Sequence, residues 1–206
     1  MEKPAAEERI LDAAWNIFIQ KGKAAARMQE IADAAGINKA MLHYYFRSKD
    51  RLFEVVFFRA LEDLLSSAAV VLGSPMPLAP KIESVVSMYI DSILERPALP
   101  LFVISEIQAN PGLLSHEAFE KEEIQQEISL FGDQLRMAAE KGDIRRVEPE
   151  HLLMDLLGMI MLPFTAKSLF LGLMDWSDEE FVVEMNSRKK SIPAMLMASL
   201  RVPNPV

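Results

Sequence analysis

The chain has 206 residues, of which 50% are hydrophobic and 25% are charged, a composition typical of one or two globular domains. This composition excludes a disordered chain, and the absence of cysteine excludes disulfides, thiolate zinc sites and cysteine nucleophiles. The longest uncharged run, residues 64–80, is interrupted by prolines and is too short to span a membrane, and the first residues do not form a secretory signal. We therefore expect a cytoplasmic protein with no membrane partner.

The net charge of −8 is unevenly distributed along the chain. Between Lys21 and Arg51 there are seven basic and three acidic residues, a local net charge of +4. Residues 52–206 contain 13 basic and 23 acidic residues, a net charge of −10. This asymmetry indicates one surface that meets phosphate groups and a larger body that does not.

Helical periodicity recurs along nearly the whole chain. Ile10, Ala13, Ala14, Ile17 and Phe18, for example, fall on one face of a helix. No segment shows the alternation of a strand bounded by hairpin turns. The sequence therefore predicts an all-α fold. It predicts nine helices, which are Pro4–Lys21, Met28–Ala35, Lys39–Phe46, Lys49–Leu72, Lys81–Glu95, Leu101–Ala109, Glu117–Lys141, Pro149–Leu173 and Ser177–Arg201.

Several residues indicate where these helices end or bend. Gly22 suits the position after the last turn of the first helix. Ser177 and Glu180 have the spacing of a capping box at the start of the last helix. Pro163 lies inside the helix predicted from Pro149, and we expect it to kink that helix and leave room beside the bend.

Residues 28–46 carry the strongest motif, two short helices joined by Gly36-Ile37-Asn38. Gly36 can adopt the left-handed conformation that a sharp turn between helices requires, and Asn38 is a good N-cap for the helix that follows. We expect Ile31 and Leu42 to hold the two helices against the first helix. The pattern is typical of a helix-turn-helix, whose second helix enters the major groove of DNA.

A helical wheel separates the two sides of this second helix, with Leu42 and Phe46 on the buried side. The side chains that point away or lie on the flanks are Lys39, Ala40, Met41, His43, Tyr44 and Tyr45. Small, apolar and hydroxyl-bearing groups can contact thymine methyls and phosphates. The alternative is a helix-turn-helix that binds no DNA, in which the tyrosines are packing residues and the cations at 47–51 are solvated. The local charge of +4 favours DNA.

Residues 7–58 resemble the N-terminal domain of TetR/AcrR-type transcriptional regulators. The matching segments, which keep their spacing, are Ile10–Ala14 with Phe18 and Lys21-Gly22, Glu30–Ile37, and Leu42–Leu52. The resemblance implies a DNA-binding head, here residues 1–47, and a ligand-binding and dimerisation body, residues 48–206. It also implies that DNA is contacted by Gln29, Lys39, Ala40, Met41, His43, Tyr44, Tyr45 and Lys49.

Three positions depart from the family pattern. Arg27 stands where the family usually has a Thr or Ser cap, which costs about 1 kcal/mol but offers a phosphate contact. Met41 stands in place of Thr or Ser and His43 in place of Tyr, so the operator sequence does not transfer from the family. At the start of the fourth helix, we expect the backbone amides and the ammonium of Lys49 to hold a phosphate together.

The body is rich in methionine and phenylalanine. Seven of the 13 methionines lie between Met154 and Met197, and flexible thioethers suit adaptable apolar cavities. The expected ligand-binding residues are Met88, Phe102, Glu106, Phe131, Met159 and Phe164. Alternatively, the apolar members fill a core or a subunit interface, and Glu106 lies at an exposed edge. The charge of the body favours a neutral or cationic effector.

The last two predicted helices are apolar around much of their circumference, so we expect each to be buried on more than one side. The residues expected at a homodimer interface are Leu152, Leu153, Leu156, Leu157, Ile160, Ile192, Met195, Leu196 and Leu200. The alternative is that these side chains pack on the helices from Lys81 and Glu117 within one chain.

The sequence contains no glycine-rich phosphate loop, nucleophile elbow or His-Glu-x-x-His motif, so we expect no enzyme activity and no cofactor. His151 and Asp155 form at most a weak metal pair, and we expect no metal site. We predict a sequence-specific repressor that binds double-stranded DNA as a homodimer at a palindromic operator. A small apolar effector of unknown identity is expected to release it. The alternative is a DNA-anchored regulator whose body binds a protein partner.

Overall fold

The structure is a computed structural model that describes residues 3–115 and 121–202. Within these ranges it has ten α-helices, one short 3₁₀ helix at Pro111–Ser115 and no strand, which confirms the predicted all-α class. The helices are α1 Lys3–Ala25, α2 Met28–Ala34, α3 Lys39–Tyr45, α4 Lys49–Gly73, α5 Leu78–Glu95, α6 Leu99–Ala109, α7 Lys121–Glu140, α8 Pro149–Thr165, α9 Lys167–Met174 and α10 Asp178–Ser199. The predicted start of the seventh helix, Glu117, lies outside the described residues.

The chain divides into two compact units, Met1–Glu62 and Asp63–Val206. In the first unit α1 packs on α2, and α2 packs on α3. Phe18 and Phe53 meet edge to face in its core, with ring centroids 5.1 Å apart. Near its end α1 bends at Gly22, whose φ of 72° is the left-handed conformation that glycine adopts without a Cβ penalty.

In the second unit α5 packs on α10 and on α8, and α8 also contacts α6, α7 and α9. The buried side chains of α5 recur at helical spacing, and Val85, Val86 and Ile90 are at most 1% exposed. Ser177 and Glu180 form the predicted capping box at the start of α10. The Ser177 hydroxyl accepts from the Glu180 amide at 3.1 Å, and the Glu180 carboxylate accepts from the Ser177 amide at 2.7 Å.

The helix predicted from Pro149 to Leu173 is two helices, which accounts for the tenth helix. α8 and α9 meet at Ala166 with a bend of 72°. Pro163, the residue expected to kink this helix, lies three positions before the break. It has no N–H to donate to the Met159 carbonyl, and its ring crowds that carbonyl, so the helix is weakened there.

Within residues 3–115 and 121–202 no single helix is long and apolar enough to cross a membrane. By length and composition, α8 and α9 pass that test only as a pair joined by their bend.

Candidate functional site

The turn between α2 and α3 has the geometry that the sequence predicts. Gly36 has a φ of 67°, in the left-handed region. The side-chain oxygen of Asn38 accepts from the Met41 amide at 2.8 Å and caps α3. Ile37 donates its amide to the Ala32 carbonyl at 3.0 Å and so closes the turn. These bonds fix the direction of α3 relative to α2.

The first turn of α2 is stabilised by Glu30 in place of the missing Thr or Ser cap. The Arg27 side chain makes no capping bond, but its backbone amide donates to the Glu30 carboxylate at 3.4 Å. Lys21 also donates to Glu30 at 3.0 Å, and this hydrogen bond holds the pKa of the carboxyl below its usual value. The guanidinium of Arg27 is exposed and does not cap the helix.

α3 presents one buried side and one exposed side. Leu42 is fully buried, whereas Lys39, Ala40, His43 and Tyr44 are exposed and Met41 and Tyr45 are half-buried. Tyr44 is 74% exposed, and its ring meets that of Tyr45 edge to face at 5.6 Å. On α2, Gln29 is exposed and donates to Asp33 at 2.7 Å. Every α3 residue expected to contact DNA is thus at least partly accessible.

Lys49 differs from the other residues expected at this surface. Its ammonium donates to the backbone carbonyls of Ala24 at 3.0 Å and Ala26 at 3.1 Å, at the end of α1 where helix carbonyls lack N–H partners. These bonds use two of its three N–H donors and hold the ammonium at the end of α1, so one donor is left for a phosphate. Lys39 and Arg47, by contrast, are exposed cations on or directly after α3.

The residues that form this surface match a known protein family. The profile of the family described as bacterial regulatory proteins, tetR family, matches residues 10–56, which include all of α2 and α3. Residues 10–56 belong to the TetR family. The resemblance seen in the sequence is therefore confirmed over these residues.

Two curated relatives and one solved structure illustrate the family. The chain is 34% identical over 85 residues to the transcriptional activator FasR of Mycolicibacterium smegmatis, covering 41% of this chain and 39% of FasR. It is 27% identical over 159 residues to the transcriptional regulator RutR of Escherichia coli, covering 72% of this chain and 69% of RutR. The transcriptional regulator FadR of Bacillus subtilis, solved with stearoyl-CoA, matches with a TM-score of 0.59 at 15% identity, covering 94% of this chain and 99% of FadR.

These comparisons differ in what they support. The chain spans less than half the length of FasR, and the likeness to FadR concerns the fold alone. All three relatives are transcriptional regulators rather than enzymes. Within the described residues no group of three or more His, Asp and Glu side chains is placed to hold a metal ion.

The six residues expected to bind a ligand lie on four helices of the second unit. Met88 on α5 lines an open cavity of about 320 Å³ with Tyr89 and Asp91. Met159 on α8 lines a different one. Three of the six are phenylalanines buried in the core, Phe102, Phe131 and Phe164. Glu106 on α6 is half-buried. The structure therefore does not gather the six around one cavity.

The residues expected at a dimer interface divide into two groups. Six are buried within this chain, so the intrachain packing accounts for them without a second subunit; they are Leu152, Leu156, Ile160, Ile192, Leu196 and Leu200. Leu153 is half-buried, while Leu157 is 36% and Met195 57% exposed. Met154, next to Leu153, is also exposed and was not among the expected residues. The apolar surface left on α8 and α10 is thus narrower than the sequence suggests.

An open cavity of about 450 Å³ between α8, α9 and α10 contains a residue that sequence reasoning missed. Arg188 lines it, and its Nη2 donates to the Met159 carbonyl at 2.7 Å. This is the carbonyl that Pro163 leaves without its helical donor. A signal was present in the sequence, because Arg188 falls at helical spacing with Met185 and Ile192, which are both buried.

Proposed function

We propose that this TetR-family protein is a repressor that binds a palindromic operator as a homodimer and is released by a small apolar effector. The observation that carries the DNA-binding part is the exposed face of α3, ordered by the Gly36 turn and the Asn38 cap. A partner of this kind places the protein in the cytoplasm, where DNA is accessible.

The proposed DNA contacts are those expected from the sequence, with one difference in role. Side chains on the exposed face of α3 read base edges, and Lys39 contacts phosphate. Lys49 contributes by holding the start of α4 to the end of α1 through its two backbone acceptors. Two α3 helices related by a two-fold axis would lie on the order of 34–36 Å apart, one turn of DNA.

The experiment that tests this proposal is selection of bound duplexes from a randomised DNA pool, followed by gel shifts with the enriched sequence. We expect an enriched palindrome whose affinity falls steeply with salt, because bound cations displace counterions from phosphate. A pool that shows no enrichment, or enrichment of a single half-site bound by a monomer, would contradict the proposal.

The effector part rests on the body of the protein. Helices α5 to α10 lie in the second unit. FadR, a protein of similar fold, was solved with stearoyl-CoA. We propose that an apolar molecule binding this bundle shifts the operator affinity, with a coupling typically of 1–3 kcal/mol. α4 carries residues of both units and is the element that we propose transmits the change.

A second candidate function is favoured by α9. None of its residues is buried, and Leu169 and Leu173 are 57% and 68% exposed. Large exposed apolar side chains on one short helix are typical of a surface that meets another protein. If α9 binds a protein partner, Leu169→Ser with Leu173→Ser removes regulation in cells while the purified variant still binds its operator.

A further inference from the structure

The cavity between α8, α9 and α10 contains the guanidinium of Arg188, which makes no ion pair with the carboxylates that the structure describes. Within residues 3–115 and 121–202 no carboxylate oxygen lies within 4 Å of Arg188. Its Nε is inaccessible and has no hydrogen-bond partner. An arginine has five N–H donors, and the bond to the Met159 carbonyl uses one of them. Burial also lowers the pKa of this group, since removing water disfavours the charged form.

Arg188 is half-buried, a charge that is partly removed from water without a counterion is unfavourable, and an arginine stays charged at physiological pH. A carboxylate is the group that satisfies a guanidinium best, because two parallel N–H···O bonds match its planar fork. Glu184 lies one turn before Arg188 and lines the same cavity, but it is exposed and its carboxylate accepts instead from the Ser187 hydroxyl at 3.4 Å. The chain thus leaves the position beside Arg188 open to an external carboxylate.

The rest of the cavity wall is largely apolar. Met159, Leu162, Phe170, Trp176 and Met185 line it together with Pro163. Its volume of about 450 Å³ lies within the range of about 300–1,000 Å³ that small-molecule sites occupy. The polar lining residues are Arg188, Glu184, Ser187 and Ser191. An apolar wall with a few polar groups is the usual composition of a small-molecule site.

We propose that this cavity binds an amphipathic monocarboxylate, with the carboxylate on Arg188 and the hydrocarbon portion against Met159, Phe170 and Trp176. This inference deepens the proposed function, because it names the chemical class of the effector. It reverses the expectation of a neutral or cationic molecule. That expectation came from the net charge of the body, whose field is screened over about 8–10 Å in physiological salt, whereas Arg188 acts in direct contact.

The test is calorimetric titration of the full chain with octanoate, octan-1-ol and octylamine, which share a hydrocarbon chain and differ in headgroup charge. We expect octanoate to bind at least about tenfold more tightly than octan-1-ol, as a charge-assisted hydrogen bond implies, and octylamine to bind most weakly. We expect Arg188→Gln to bring the ratio of the octanoate affinity to the octan-1-ol affinity close to one. The matched control Arg201→Gln, which removes an exposed arginine just after α10, leaves the ratio unchanged.

A second variant covers the case in which Arg188→Gln does not fold. Leu162 is 58% exposed at the cavity, so Leu162→Glu is tolerated and supplies a carboxylate in place of the ligand. Because the change also removes part of the apolar wall, we expect it to weaken both ligands, and to lower octanoate affinity about tenfold more than octan-1-ol affinity.

Three results would overturn the inference. They are no detectable octanoate binding, equal affinity for octanoate and octan-1-ol, and an octanoate preference that survives Arg188→Gln. Conversion of the Arg188→Gln variant to a monomer in sedimentation, without octanoate binding to the parent chain, would also overturn it and assign the cavity to a second copy. Selection from the randomised DNA pool without octanoate tests the repressor proposal separately, so the two failures are distinguishable.

Discussion

The ammonium of Lys81 donates a hydrogen bond to the Leu72 carbonyl at 2.6 Å, although Lys81 is only 1% exposed. It also donates to the Ser74 carbonyl at 2.6 Å and to the Gln134 side chain at 2.5 Å. Gln134 in turn donates to the Met76 carbonyl at 2.8 Å. One buried cation therefore satisfies carbonyls at the end of α4, where a helix has no N–H donors of its own, and joins them to α5 and α7.

Replacing this cation should be costly. We expect Lys81→Met to lower the free energy of unfolding by roughly 2–4 kcal/mol, because it leaves buried carbonyls without donors. Urea denaturation measures the loss. Lys190→Met on the exposed face of α10 is the control and should change stability by no more than about 0.5 kcal/mol. Equal stabilities for the two variants would show that water replaces the ammonium without cost.

The same residue predicts a dependence of stability on pH. Burial lowers the pKa of Lys81 in the folded chain below the value of 10.5 that it has when unfolded. Between these two values the unfolded chain binds more protons, so the Lys81 contribution to the free energy of unfolding rises as the pH rises. We expect the difference in stability between the parent chain and Lys81→Met to grow toward pH 10.5. A constant difference would contradict a lowered pKa.

Two glycines isolate the effect of backbone conformation. A Cβ would meet nothing within 4 Å at either Gly36 or Gly172, but Gly36 has a positive φ and Gly172 lies in α9. We expect Gly36→Ala to destabilise the chain by about 1–2 kcal/mol and Gly172→Ala to stabilise it by about 0.5–1 kcal/mol. Thermal denaturation distinguishes the two signs, and a stabilising Gly36→Ala would show that the α2–α3 turn relaxes.

Lys39 and Lys49 should differ in how they affect DNA binding. Lys39 is exposed, so Lys39→Met weakens binding to all sequences and lowers the salt slope by about one without changing thermal stability. Lys49→Met also removes two bonds to backbone carbonyls and therefore lowers the melting temperature. Gel shifts at several salt concentrations measure the DNA affinity and salt slope of each variant, and melting curves measure its stability. If Lys49→Met leaves the melting temperature unchanged, the bonds to the two carbonyls do not stabilise the chain, and the role of Lys49 is a direct phosphate contact.

Tyr44 is the side chain of α3 best placed to change sequence preference alone. Because it is 74% exposed, we expect Tyr44→Ala to alter the enriched operator with little loss of stability. Leu42→Ala is the contrast, since this buried side chain should cost about 2–5 kcal/mol and reduce binding to every sequence through unfolding. Identical enriched sequences for the parent chain and Tyr44→Ala would exclude base reading by Tyr44.

The proposed dimer is best tested at residues that are exposed within one chain. We expect the double variant Leu157→Glu and Met195→Glu to fold and to sediment as a monomer, because charges then meet across an apolar interface. Leu156→Glu places a charge at a buried position instead and should unfold the chain. A double variant that stays dimeric at micromolar concentration would place the interface elsewhere.

The local features of this protein follow from its sequence because neighbouring residues decide them. Gly36 and Asn38 predict the turn and cap of the helix-turn-helix, and Ser177 with Glu180 predicts the capping box of α10. Each depends on the conformation of one residue or on a hydrogen bond across three positions. Pro163 likewise indicates a bend, although its size and the position of the break at Ala166 depend on what α8 and α9 pack against.

Tertiary structure decided which apolar faces are used and which acceptors Lys81 and Arg188 reach. Leu156 and Leu157 are adjacent and identical in type, yet one is buried in the chain and the other is partly exposed, because only one faces the other helices of the bundle. Lys81 meets Gln134, 53 positions away, and Arg188 meets the Met159 carbonyl, 29 positions away. Periodicity places both cations on apolar faces, but only the packing of distant helices brings each one to its acceptors.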